Sequence, residues 1–171
     1  MRLFIIGYMC SGKTTLGKYL AKQLNMDFID LDEFIEQEEN LTITDIFNER
    51  GENLFRQLEH NYLKELTLLD NVIIATGGGT PCCNNNMEII NSQGISVYLY
   101  TSEEVLVDRL FVMGENRPLV KGKTRSELNK FVISHLKDRE PYYQKAKVIV
   151  NGDVWDIENI AERVLKQIDS M

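Results

Sequence analysis

The chain is short of the residues that staple or metallate small proteins. Its three cysteines, Cys10, Cys82 and Cys83, form neither an even set nor a CxxC pair, and adjacent cysteines seldom bridge each other. A disulfide framework is therefore not expected, and a reducing compartment fits best. Only two histidines occur, His60 and His135, with no clustered Cys and His ligands, which argues against a dedicated transition-metal centre. No hydrophobic run approaches membrane-spanning length, and the apolar run Leu3 to Ile6 is too short for a signal-peptide core. The expectation is a cytoplasmic protein with no membrane partner. Basic charge is also scarce: 19 Lys and Arg against 26 Asp and Glu leave a formal net charge of −7. Phosphate backbones and anionic lipids select the opposite balance, so no nucleic-acid partner is expected and the substrate should be small. There is no internal repeat, and the one biased patch, Asn84 to Asn86, reads as a loop ending in a helix cap.

What is present is enough for a full core: 171 residues, 43% hydrophobic, suit a single domain over 1–171. Short apolar runs recur at Leu3 to Ile6, Val72 to Ala75, Ile95 to Tyr100 and Val148 to Val150, with a weaker one at Phe28 and Ile29. Helical patterns lie between and after them at Thr15 to Leu24, Leu54 to Leu69, Met87 to Ser92, Ser102 to Phe111 and Ile157 to Ile168. Alternation of this kind predicts βαβ units, and continuous apolar strands predict a sheet buried on both faces. The expected architecture is α/β, three layers (α/β/α) around a central, mostly parallel five-stranded sheet. Two stretches exceed a minimal crossover. The first, within Asp32 to Leu69, should hold three helices broken near Asn40 and at Gly51, with a substrate-binding insertion at about 32–62. The second, about 112–124, has the composition of a mobile lid, with Gly114, Pro118 and Gly122 beside Arg117, Lys121 and Lys123.

The sharpest signal is Gly7 to Thr14, GxxxxGKT, between a strand and a helix. That order makes a nest of backbone N–H groups for a phosphate at a positive helix end, with Lys13 reaching the β and γ phosphates and the Thr14 hydroxyl holding Mg²⁺. A nucleoside triphosphate ligand follows. Asp30 and Asp32 stand two apart at the end of the second strand and project to one side if the strand persists; they read as metal support plus proton acceptor, or simply as a helix cap. Three glycines, Gly77 to Gly79, follow the third strand, where backbone must approach something closely. No Asp stands there, which leaves Asp30 as the metal partner. Arg56 and Glu59 share a helix face, either as a surface ion pair or as a rigid fork for a substrate carboxylate. Phe47 and Phe55 read as core. Arg109, Arg117 and Arg139 complete the cations: Arg117 suits a lid closing over the γ-phosphate, and Arg139 suits a helix end.

Taken together, the GxxxxGKT loop, the DxD at Asp30 and Asp32, the GExxFRxxE run ending at Glu59, TGGG at Thr76 to Gly79, RPL at Arg117 to Leu119 and RxPYY at Arg139 to Tyr143 resemble the shikimate kinase family. The resemblance runs from Gly7 to Tyr143 and implies a P-loop kinase fold that moves the ATP γ-phosphoryl group to the 3-hydroxyl of shikimate. It implies ATP contacts from Cys10, Ser11, Gly12, Lys13, Thr14, Thr15, Arg109 and Arg117, with Arg109 against adenine. It also implies Mg²⁺ on Thr14 and, through water, on Asp30. Shikimate would be held by Asp32, Arg56, Gly78 and Arg139, and catalysis would fall to Lys13, Asp32 and Arg117. The substrates are then ATP and shikimate, and a monomer is the default expectation. One departure stands in the loop: many family members have Gly where this chain has Cys10. The thiol sits near a lysine and a helix start, a setting that favours oxidation or alkylation, with ATP expected to protect it. Two other readings share the loop: a gluconate kinase of the same fold, and a nucleotide-binding partner-recognition module without turnover.

Overall fold

The computed structural model describes residues 1–113, 120 and 122–171. Five strands form the sheet: β1 (Arg2–Ile6), β2 (Asp27–Asp30), β3 (Val72–Ala75), β4 (Ile95–Tyr100) and β5 (Val148–Asn151). Their spatial order is β2-β3-β1-β4-β5, and every neighbouring pair is parallel, more uniformly than the sequence implied. Among the described residues seven α-helices surround it: α1 (Lys13–Leu24), α2 (Leu31–Glu39), α3 (Ile43–Leu66), α4 (Asn86–Gln93), α5 (Glu103–Met113), α6 (Arg125–Tyr143) and α7 (Ile157–Asp169).

The period of two along each strand divides the core into two layers. Phe4 and Ile6 of β1 and Ile74 of β3 face a cluster filled by α2 to α6, including Leu31, Leu63, Ile90, Leu106 and Val132. Leu3, Ile5 and Ile73 face the opposite cluster, filled by Leu16 and Leu20 of α1 and Ile160 and Val164 of α7. Burial on both faces explains why these strands read as unbroken apolar runs. Phe47 and Phe55 pack on the first cluster as a tilted pair 4.7 Å apart, as expected of core residues.

Because all strands run the same way, the segments after β1, β2 and β3 leave the sheet at one edge. Ile5 and Asp30 are both in register with Ala75, which brings the phosphate loop, the DxD and the TGGG segment together. The excursion after β2 is helical as expected. Asn40 ends α2 in the left-handed region, and α3 is kinked at Gly51, where φ is 81°. Helix α6 was not apparent in the sequence as a periodic stripe, because the face it buries includes Arg139 beside Leu128, Val132, Leu136 and Tyr143, and Pro141 lies inside it. A capping box between Thr124 and Glu127 starts this helix. Asn85 stands at the N-cap position of α4 without a side-chain capping bond, and Asn86 turns inward instead. Most of the expected lid (114–119 and 121), including Arg117 and its RPL motif, lies outside the described residues. Among the described residues no helix is long and apolar enough to cross a membrane.

Candidate functional site

The loop between β1 and α1 is held open from within. Gly7, Cys10 and Gly12 have positive φ (146°, 60° and 103°), and the Ser11 N–H bonds the Tyr8 carbonyl at 3.2 Å. Gly12 precedes α1 directly, so the first N–H groups of that helix border the loop, as anion binding requires. A Cβ on Gly12 would strike the indole of Trp155. Cys10 occupies a left-handed position that glycine adopts at no steric cost. Lys13 Nζ donates to the Tyr8 carbonyl at 2.9 Å. Ser11 is fully buried below the loop, whereas Cys10, Gly12, Lys13, Thr14 and Thr15 line a cavity of about 370 Å³ with Asp30, Asp32 and Gly78. A larger hollow of about 730 Å³ beside Tyr100, Lys137 and Glu140 shares none of these residues.

The strand does not persist through the DxD. β2 ends at Asp30, and Asp32 already belongs to the first turn of α2, because Asp30 Oδ1 accepts the Asp32 N–H at 3.1 Å as a helix cap. The cap and the site are therefore one arrangement, not alternatives. The second oxygen of Asp30 accepts from the Thr14 hydroxyl at 2.6 Å, so hydroxyl and carboxylate meet on the cavity wall. Two hard oxygen donors with room for water suit Mg²⁺, which keeps much of its hydration shell. No group of three or more His, Cys, Asp or Glu forms a metal cage among the described residues.

The TGGG segment is a crossing point for side chains. A Cβ on Gly77 would lie 2.7 to 2.9 Å from oxygens of Glu59, Asp32 and Thr80, and one on Gly79 would overlap the Arg56 guanidinium. Only backbone fits there. Arg56 Nη1 bonds Glu59 Oε2 at 2.6 Å and Arg56 Nη2 bonds Glu52 at 3.0 Å. Glu59 is fully buried and also accepts from the Thr80 hydroxyl, so this is no surface ion pair. Burial alone would lower the Arg56 pKa, but Glu59 outweighs it and raises the guanidinium further.

Arg139 approaches from α6. It is only 8% exposed, its Nη1 lies 3.2 Å from the place a Gly78 Cβ would occupy, and its guanidinium stands 5.5 Å over the Tyr8 ring. Among the described residues no carboxylate stands within ion-pair distance of it. A buried cation so placed invites an anionic ligand. Tyr143, one turn further on, donates to the Gly78 carbonyl at 2.6 Å and fixes the glycine backbone. Arg109 of α5 donates to the Ser11 carbonyl at 3.0 Å and the Gly152 carbonyl at 2.8 Å, with Trp155 5.3 Å from its guanidinium. Burial lowers its pKa, and Asp153 opposes the shift.

Apart from the buried Ser11, the sequence-predicted residues that are described fall into three groups: those around the cavity, Arg56 and Arg139 at the glycines, and Arg109 against the loop carbonyls; Arg117 lies outside the described residues. Several supports escaped sequence reasoning. Asn86 donates to the Thr80 carbonyl at 2.8 Å and shares a 2.7 Å hydrogen bond with His60, bracing the turn after TGGG. Trp155 and Tyr8 were also missed. The only hint was that Trp155 is the sole tryptophan and follows the last strand closely.

Comparison with known proteins gives the family. The family model described as shikimate kinase matches residues 9–169. A shikimate kinase of Bacteroides thetaiotaomicron is 43% identical over 99% of both chains. The crystal structure of a shikimate kinase from that organism superposes with a TM-score of 0.93, covering 99% of this chain and 98% of the other. A shikimate kinase from Acinetobacter baumannii, solved in complex with shikimate, is 34% identical with a TM-score of 0.89, covering 99% and 93%. A gluconokinase from Sinorhizobium meliloti, at 16% identity and a TM-score of 0.62 over 99% and 91%, shares the fold alone.

Proposed function

This chain belongs to the shikimate kinase family, and on that premise we propose that it transfers the γ-phosphoryl group of ATP to the 3-hydroxyl of shikimate, yielding shikimate 3-phosphate and ADP. It would do so as a cytoplasmic monomer, on the route to chorismate and the aromatic amino acids. The observation that carries the reading is the meeting of Arg56 and Arg139 at Gly78 and Gly79, beside Asp32 and the phosphate loop. A substrate with a carboxylate at one end and hydroxyls at the other would use the arginines and the aspartate together. Conversely, a nucleotide-binding module without turnover has no use for a carboxylate fork next to a proton acceptor.

The chemistry follows from the residues. The acceptor oxygen bonds the γ-phosphorus, the bond from that phosphorus to the bridging oxygen breaks, and the electron pair leaves with ADP. Asp32 takes the hydroxyl proton or holds that hydroxyl in line. Lys13 leaves the Tyr8 carbonyl for the β and γ phosphate oxygens, and Arg117, outside the described residues, would contact the phosphates. The loop N–H groups, from Cys10 to Thr15, cradle the remaining phosphate charge, and Arg109 lies against adenine. Arg56 and Arg139 grip the shikimate carboxylate, with Gly78 offering its backbone. Thr14, and Asp30 through water, would hold Mg²⁺, which would neutralise charge on the phosphates. Positioning and charge neutralisation carry most of such a transfer.

The test is ADP release by the purified protein with ATP and Mg²⁺, with shikimate, with gluconate and with no acceptor. Stimulation by shikimate alone is the expected result. Equal rates in all three would overturn the assignment.

A further inference from the structure

Tyr8 of the phosphate loop reaches Arg139 with its side chain. Its side chain is 1% exposed, its ring faces the Arg139 guanidinium at 5.5 Å, and its hydroxyl shares a 3.0 Å hydrogen bond with His135 Nδ1. His135 and Arg139 lie four residues apart on α6, one turn, so a single phenol touches both on one face. Its carbonyl meanwhile accepts from Lys13 Nζ.

The two substrate arginines are held by opposite means. Arg56 is locked by Glu59 and Glu52. Arg139 has no such carboxylate among the described residues. A carboxylate beside Arg139 would compete with the substrate's own, whereas an aromatic face steadies a guanidinium and leaves its charge available. Tyr8 suits that task because it stays uncharged: burial pushes its phenol up to about 12, although Arg139 opposes the shift.

Resting on the reading that shikimate is the acceptor, we propose that Tyr8 is a positioning residue that orients Arg139 for the substrate carboxylate, with His135 anchoring the phenol. The ring, more than the hydroxyl, carries the effect. Replacing Tyr8 by Leu removes the ring and should raise the shikimate KM about tenfold, with the ATP KM and kcat within about twofold of wild type. Tyr8→Phe keeps the ring and should stay within about twofold for both substrates. In an Arg139→Ala background, Tyr8→Leu should add nothing further to the shikimate KM, because the group it orients is gone.

Three results would overturn the proposal: a shikimate KM unchanged in Tyr8→Leu, a rise of both KM values together, or the same penalty in the Arg139→Ala background. If Tyr8→Leu does not fold, Tyr8→Met, a flexible apolar filler without a π face, is held to the same three criteria. Wild type is assayed first. If it fails to phosphorylate shikimate, the reading of the reaction falls and this proposal with it; if it succeeds while the Tyr8 variants behave as wild type, only the role of Tyr8 falls.

Discussion

The proposed phosphate cradle and the proposed acid-binding corner share one edge of one sheet, yet they are built from different materials. The cradle is contiguous backbone: Gly7 to Thr15, opened by positive φ at Gly7, Cys10 and Gly12 and closed by the start of α1. The corner is assembled from side chains far apart in the chain, Arg56 of α3, Arg139 of α6 and the glycines after β3, locked by Glu59, Thr80 and Tyr143. Backbone N–H groups recognise any phosphate placed at a helix start, so the cradle carries little specificity. Guanidinium groups recognise a carboxylate by geometry, so on the proposed reading the corner decides the substrate.

The comparison breaks most sharply at Lys13. Lys13→Ala should cut kcat by about a hundredfold or more while shikimate still binds, as initial rates and calorimetry would measure. A near-normal rate would remove Lys13 from the phosphates. Arg139→Ala should do the converse, raising the shikimate KM about a hundredfold with the ATP KM nearly unchanged. Arg56→Lys keeps the charge and loses the fork, so the expected rise is smaller, about tenfold in shikimate KM. An unchanged value would reject Arg56 as a carboxylate ligand.

Stability sharpens the contrast between the arginines. Glu59→Gln leaves Arg56 without its buried partner and should cost about 3 kcal/mol in denaturant unfolding, and shikimate binding should weaken with it. A shift under about 1 kcal/mol would mean that Arg56 relies on Glu52 instead. The smallest effect belongs to Cys10. Cys10→Gly relieves a left-handed side chain but adds freedom to the unfolded chain, so the net stability change should stay below about 1 kcal/mol. Inactivation by iodoacetamide should be slowed by ATP in wild type and lost in this variant. Unchanged inactivation would direct attention to Cys82 and Cys83, whose thiols burial pushes up in pKa, Cys82 to about 12.

The same contrast explains what could be read without coordinates. Strands buried on both faces left unbroken apolar runs, and a phosphate loop is contiguous by necessity, so the sheet and the cradle were legible. The corner was legible only as a set of separated motifs, and the supports behind it were not. Nothing in the spacing of Thr80, Asn86 and His60 says that they brace one turn. Helix α6 hid because a buried arginine interrupts its apolar stripe, and that arginine is part of the corner. Of the two geometries left open for Asp30 and Asp32, the helix cap prevails: the strand ends at Asp30, and the capping bond places Asp32 in the first turn of α2.

The most direct test of the division between cradle and corner is calorimetric titration of shikimate and of a non-hydrolysable ATP analogue with Mg²⁺ into wild type, Lys13→Ala and Arg139→Ala. The expected pattern is crossed: wild type binds both ligands, Lys13→Ala loses chiefly the nucleotide, and Arg139→Ala loses chiefly shikimate. Shikimate binding that survives Arg139→Ala at wild-type affinity, or is absent from wild type, would contradict the account.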